Sequence, residues 1–308
     1  MMDNFSVITV FTLSGLSGIE KYKISLFFVT LLFYCVIWLV NVAVIVTIVV
    51  DKSLHEPMYI FLCNLCINGL YGTAGFYPKF LMDLLSTTHV ISYAGCLLQG
   101  FVIHSSVSAD FSLLVLMAFD RYVAICRPLV YHSMMTKPRV CVFLFFAWFI
   151  PIYLVFVGSM TTLTLRLCGS HIPKIYCINY LVGQLACSFS VAHVIVPAFN
   201  YSFFSCHFIF VIWSYIYLVK TCRTSRENRS KFIQTCLPHL FCLVTFGVSL
   251  LFDLLYIRFG SKSSSQSAQN FMAIEFLIIP PILNPLIYGF KMTQIRKRII
   301  QFLIGKHI

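Results

Sequence analysis

Residues 24–50 run for 27 positions without one charged side chain. About 20 apolar residues in a helix cross the hydrocarbon of a bilayer, so this stretch is long enough to span one. In lipid, only a helix or a closed barrel satisfies its own backbone. Six further stretches are long and predominantly apolar, with few charges, and together the seven read as spans near 24–50, 57–85, 93–126, 139–160, 190–219, 232–257 and 269–290. They are too long for barrel strands and do not alternate in polarity. The third and fifth are long enough to tilt or to project beyond the lipid. The expectation is an all-α membrane protein, a seven-transmembrane helix bundle forming a single domain over 1–308. No internal repeat or low-complexity segment interrupts it.

The composition agrees. Hydrophobic residues make up 59% of the chain and charged residues 10%, against about 25% charged in a soluble domain. The net charge of +12 comes without a basic tail or a nucleic-acid-binding signature, so nucleic acid is set aside as a partner. In a membrane chain, excess Lys and Arg marks cytoplasmic loops. Fifteen of the 22 basic residues, among them Lys52, Arg127, Lys137, Lys220, Arg229 and Arg296, fall on one side of the seven spans. That side is assigned to the cytoplasm. The N-terminus then lies outside and the C-terminus inside a multi-pass plasma-membrane protein. Asn4, in the triplet Asn4-Phe5-Ser6, becomes an expected glycosylation acceptor. The start of the chain has neither a basic n-region nor a small-residue cleavage site, so no cleaved signal peptide is expected. After the last span, Ile295, Ile299, Phe302 and Leu303 recur at helical spacing with Arg296, Lys297 and Arg298 between them. That pattern suits a short interfacial helix over about 293–303 lying on anionic membrane lipid.

Most of the 13 cysteines sit in apolar runs, where a thiol packs as a small hydrophobe. Cys63 and Cys66 have CxxC spacing but no second pair or nearby His, so packing outweighs zinc. Neither a metal nor a cofactor is expected. Cys96, Cys168, Cys177 and Cys187 fall in or beside the outer loops, where cysteines oxidise. Four cysteines allow three pairings, which the residues alone do not decide.

The segment MAFDRYVAIC sets Asp120, Arg121 and Tyr122 at the inner end of the third span. A charge near the interface can pair or snorkel, and adjacent helical residues lie about 100° apart. Arg121 can therefore hold Asp120 in one arrangement and another partner in a second, as a two-state element requires. A static interfacial pair is the plainer reading. The seventh span ends PPILNPLIYGF. There Asn284 and Pro285 break the helix ladder, Pro by removing a donor. Tyr288 follows, and Tyr215 at the inner end of the fifth span could meet it through water.

These residues carry a resemblance. LHEPMYIFL (54–62), MAFDRYVAICRPLVY (117–131), SYIYL (214–218), KFIQTCLPHL (231–240) and NPLIYG (284–289) resemble the signatures of rhodopsin-like G-protein-coupled receptors, and within them the odorant receptors. IRFG (257–260), IPPILNPLIYG (279–289) and KMTQIR (291–296) resemble the fish-type, class I branch. The resemblance covers nearly the whole chain. It implies a rhodopsin-like bundle with an eighth, interfacial helix. It also implies olfactory sensory transduction: a small-molecule odorant binds in the outer bundle, and a heterotrimeric, stimulatory olfactory-type G protein couples inside and raises cyclic AMP. By that analogy Arg121 and Tyr215 contribute to the G-protein face. The family further implies the disulfides Cys96–Cys177 and Cys168–Cys187.

His104 lies about two turns below Cys96 and should face the outer cavity, with Ser105, Val107 and Ser108 beside it. A His bonded between helices is the alternative. Arg258, in YIRFG, is either a snorkelling Arg or, as in class I receptors, a bidentate anchor for an acid ligand. Asp253 and Glu275 are intramembrane acids, hence functional candidates, or else a structural pair. The expected ligand is polar, with an anionic group.

The chain departs from the family in places. Gly69, beside Asn68, stands where the second helix usually carries Asp. Asp110 keeps the third-helix acid, so the two-acid cation site of relatives is not expected. Asp110 is free to bond Asn68 or Asn41 instead. Val40 replaces the usual Gly before Asn41, and Pro238 the usual Ser of the sixth helix. A transporter would show repeats and paired broken helices at mid-membrane, and neither occurs. A peptide or pheromone receptor fits less well with the short third inner loop. An enzyme lacks its constellation, for there is no HExxH, no GxSxG and no paired catalytic carboxylates.

Overall fold

The computed structural model describes residues 8–16, 20–188, 190–223, 240–245, 247–248, 277–287 and 293–303. Its long helices are α1 (Lys23–Val50), α2 (Pro57–Leu85), α3 (Tyr93–Cys126), α5 (Lys137–Leu163) and α7 (Ala192–Arg223). Two short ones, α4 (Pro128–Met134) and α6 (Asn179–Gln184), lie in the connections. Two more follow, α8 (Leu277–Ile287) and the interfacial α9 (Thr293–Leu303), and 240–245 is helical too. Among the described residues, four helices have the length and apolarity to cross a bilayer: Glu20–Val50, Tyr93–Cys126, Lys137–Leu163 and Val194–Thr221.

Proline starts α2, α4 and α5 in the first turn, where its missing N–H costs nothing. Ser92 caps α3, its hydroxyl oxygen accepting from the Gly95 N–H at 3.1 Å. The helix α3 is the central rod. Two-thirds (67%) of its most apolar window is buried, against 22–28% for α1, α5 and α7. It packs on α2, α5 and α7. Small residues set the closest approach. A Cβ added at Gly72 would lie 2.1 Å from the Ser106 hydroxyl, and one at Gly75 would lie 2.6 Å from Val102. Without a hydrophobic drive between helices in lipid, such close backbones supply the packing. Large apolar side chains of α1, α5 and α7, among them Leu32, Phe145 and Ile209, stay exposed on the outer surface, as a lipid-facing helix requires.

The sequence shows no sign of the small sheet at the end of the bundle where α3 begins. Strand β1 (Val10–Leu13) lies in the middle, antiparallel to β2 (Val90–Ser92) and parallel to β3 (His171–Ile172). Phe11, Leu13, Ile91 and Ile172 form a second small core beneath it with Val182. Disulfides join Cys96 to Cys177 and Cys168 to Cys187. Gln99 braces the first of these. Its carbonyl accepts from the Cys177 N–H at 3.0 Å, and its amide donates to Gly75 O at 3.2 Å.

At the other end α9 docks on α1 and α2. Ile295 is fully buried, Tyr59 donates to Gln294 Oε1 at 2.6 Å, and Arg298 pairs with Asp51 at 2.7 Å. Asp51 also accepts from Ser53 N–H and Oγ, and these bonds, with Arg298, hold its carboxyl below the usual carboxylate range.

Candidate functional site

Asp120 is fully buried near the C-terminal end of α3. Arg121, its neighbour, donates from Nε to Oδ2 at 2.8 Å and pairs through a second guanidinium nitrogen as well. The other carboxylate oxygen accepts from the Tyr131 hydroxyl at 2.9 Å. Tyr131 sits on α4, which Pro128 starts immediately after α3 ends at Cys126. The short helix turns the chain back, so a residue 11 positions on reaches Asp120. Burial, and next the Asp120 carboxylate, push the Tyr131 phenol above its usual value, so it stays protonated and keeps donating. A buried carboxylate shared by two donors on two elements is a latch that either donor can leave.

Beside the latch stands an aromatic wall. The buried Tyr122 ring lies 5.2 Å from Trp213 and 6.3 Å from Tyr217, both on α7. Tyr215 is buried on the same helix. Tyr131, Trp213 and Tyr217 are contacts that sequence reading did not single out.

Pro285 has no N–H, so in α8 the carbonyl of Pro281, four residues earlier, lacks its ladder donor. Asn41 of α1 supplies one: its amide donates to Pro281 O at 2.9 Å and to Ile37 O at 2.8 Å. Asn284, also on α8, is buried. Asn68 and Ser106 clasp α2 to α3 reciprocally, the Asn68 amide donating to Ser106 O at 2.8 Å and the Ser106 hydroxyl to Asn68 O at 3.2 Å. Next to this clasp is a void of about 20 Å³ lined by Gly69, Thr73, Ser106, Asp110 and Pro281, enough for about one water. The space where a Gly69 side chain would begin is 3.5 Å from Asn41 Oδ1. Among the described residues no donor meets the buried acceptors Asp110 Oδ1, Asn68 Oδ1 and Asn41 Oδ1. Gly69 stands at the position where the resembled family carries its second acid. Among the described residues no group of three or more His, Cys, Asp or Glu clusters as a metal site.

In the N-terminal half of α3, His104 donates from Nδ1 to Gly100 O at 2.7 Å, since that carbonyl can only accept. Ser105 is fully buried and meets the Tyr71 hydroxyl of α2 at 2.9 Å. Ser108 is buried, and Val107 lines the void beside Asp110. One turn on from Val107, Phe111 faces Phe204 at 5.9 Å and His207 at 6.0 Å, both on α7. His207 is a second polar ring that sequence reading passed over. Asn4, Asp253, Arg258, Glu275 and Tyr288, together with Pro238, lie outside the described residues.

A family model described as "Olfactory receptor" matches residues 30–306. Olfactory receptor 2C3 of Homo sapiens is 34% identical over 298 residues, covering 95% of this chain and 92% of that one. Olfactory receptor 5AR1 of Mus musculus is 33% identical over 308 residues, 99% of this chain and 98% of its own. Olfactory receptor 51E1 of Homo sapiens is also 33% identical over 308 residues, covering 99% and 96%. Among solved structures, squid rhodopsin superposes with a TM-score of 0.76 at 15% identity, over 93% of this chain and 86% of that one. The likeness gives the fold: a rhodopsin-like seven-helix membrane bundle.

Proposed function

The chain belongs to the olfactory receptor family of rhodopsin-like G-protein-coupled receptors, and is therefore a receptor and not an enzyme; from that membership we propose that it is an odorant-operated switch. A small-molecule odorant binds in the outer half of the bundle. Its binding energy favours an open inner end, which engages a stimulatory, olfactory-type heterotrimeric G protein and raises cyclic AMP. The receptor lies in the plasma membrane with its N-terminus outside, and Asn4 is its glycosylation acceptor.

The observation that carries the reading is the latch. Asp120 is fully buried with Arg121 on one oxygen and Tyr131 on the other. A ligand shifts such an equilibrium only by its differential affinity for the two states. Arg121 leaves Asp120 in the active state and turns to the G protein, joined there by Tyr215 and Tyr288, while Asn284 and Pro285 give α8 the weak rung it needs to bend.

In the outer half, His104 and Ser108 are the polar contacts of the ligand, and Arg258 anchors an anionic group. Asp253 and Glu275 set the charge preference around it. Ser105 and Val107 support that face of α3 from behind. The class I assignment belongs to the same proposal, since the relatives above differ by only a percentage point in identity and single out no branch.

The test is a cyclic AMP assay in cells carrying the receptor, run against amino acids, short acids and bile-type acids. At least one acid should give a saturable response that Arg121→Ala abolishes and Arg258→Ala weakens at equal surface expression. Full-sized responses from Arg121→Ala would dispose of the switch. An unchanged acid dose-response from Arg258→Ala would dispose of the anchor alone.

A further inference from the structure

Away from the latch, a concave surface lies between α7 and the helical residues 240–245 and 247–248. It is a groove of about 640 Å³, within the roughly 300–1,000 Å³ usual for small-molecule sites. Its walls are Phe208, Ile212 and Ile216 on one side and Leu243, Val244 and Val248 on the other. Phe208, Ile212, Ile216, Val244 and Val248 are each about half exposed, so the groove opens outward, toward the hydrocarbon of a membrane. Gly247 leaves room on that wall: a Cβ there would stand in ordinary contact with the Phe208 ring, at 3.8 Å, and a bulky side chain would project into the groove.

One end of the groove is charged. Lys220 lines it, with its ammonium 5.7 Å from the Tyr217 ring centroid. Lys220 lies at the latch end of the bundle, since Thr221 beside it meets Cys126, at the end of α3, at 3.4 Å. An apolar slot at membrane depth with a cation at its mouth matches one ligand chemistry, acyl chains joined to an anionic headgroup. We propose that this groove is a binding site for an anionic phospholipid of the cytoplasmic leaflet, with its chains between α7 and residues 240–248 and its headgroup on Lys220. The leaflet rests on the orientation proposed above, but the site does not. Tyr215 also lines the groove, so an occupant touches the wall of the candidate G-protein face.

The experiment uses the full-length receptor in nanodiscs of phosphatidylcholine with and without phosphatidylserine. Photoreactive analogues of both lipids are the probes, and mass spectrometry maps the crosslinks. Nanodiscs offer lipid to both faces, so an inverted topology would not hide the site. In the wild type, phosphatidylserine crosslinks should gather on residues 208–220 and 243–248. Gly247→Phe and Ile216→Trp, which fill the groove from opposite walls, should each abolish them. One basic residue at a membrane surface is worth about fivefold in binding, so Lys220→Gln should cut phosphatidylserine labelling by about that factor and leave phosphatidylcholine labelling alone. Lys52→Gln, a basic residue elsewhere on the same side, should change neither. Equal labelling by the two lipids in the wild type overturns the proposal, as does labelling that survives Ile216→Trp in folded protein, or a Lys220→Gln variant indistinguishable from wild type.

Discussion

Tyr131→Phe removes one oxygen and nothing else. In the latched state that oxygen donates to Asp120 Oδ1 at 2.9 Å, and Asp120 has no exposure to solvent through which water would replace it. A hydrogen bond to an ionised group is worth about 1.5–3 kcal/mol. Tyr131 is only partly buried, which puts the value at the lower end, about 1.5 kcal/mol. If the open state lacks this bond, its loss raises the ratio of open to latched receptor about tenfold. Basal cyclic AMP should rise by that factor while the open receptor is still the minority, and the odorant concentration for half-maximal response should fall. The assay is basal and odorant-driven cyclic AMP in cells matched for surface receptor. Arg121 keeps its own bonds to Asp120 in this variant, so the receptor should stay inducible. Basal signalling equal to wild type, with an unmoved dose-response, would mean that the phenol bond survives in both states and that the latch has been misassigned.

Three further outcomes follow from other contacts. Asn41→Leu strips Pro281 O of its donor inside the bundle; leaving such a carbonyl unsatisfied costs about 1–3 kcal/mol, and the purified receptor should melt several degrees lower, while an unchanged melting temperature would show that another donor replaces it. Gly72→Val pushes a side chain into Ser106 at the tightest α2–α3 contact, so surface expression should collapse, and normal trafficking would contradict the packing. In the loop between α2 and β2, burial and then the nearby Lys23 hold the His89 ring below the usual histidine value. The folded receptor therefore resists a proton that the unfolded chain accepts near pH 6.5, and stability should be flat above that pH and decline as pH falls below it toward the folded value. His89→Gln should remove that decline in a thermal-shift titration from pH 7 to pH 5, and identical slopes for the two proteins would exclude His89 as its source.

The parts of this molecule legible in its sequence are those written locally. Long, predominantly apolar stretches announce α1, α2, α3, α5 and α7, because lipid admits few other solutions for a backbone. Asp120 and Arg121 are adjacent, so their pairing needs no knowledge of the rest of the fold. Tyr131 is a different case. It reaches Asp120 only because Pro128 opens a new helix at an angle to α3, and no periodicity encodes that turn. Asn41 and Pro281 lie 240 residues apart, and only the packed bundle shows that one repairs the other's missing bond. The three strands are two to four residues long, too short for alternation to register, and they exist because the outer loops fold onto each other. The disulfide pairs were open to the residues alone and followed only from the family resemblance.

The middle position of β1 bears on how this receptor can be handled. A version trimmed to begin after residue 16 would keep both sulfur bridges and every long rod. It would nonetheless leave 90–92 and 171–172 facing an empty lane, with the amides of Tyr93 and the carbonyls of His89 and Ser170 turned to water. The amino-terminal tail is thus the seam between two outer loops that do not touch each other as strands. Tags belong ahead of that seam, and shortening the tail through it is expected to loosen the small sheet before it harms the membrane core.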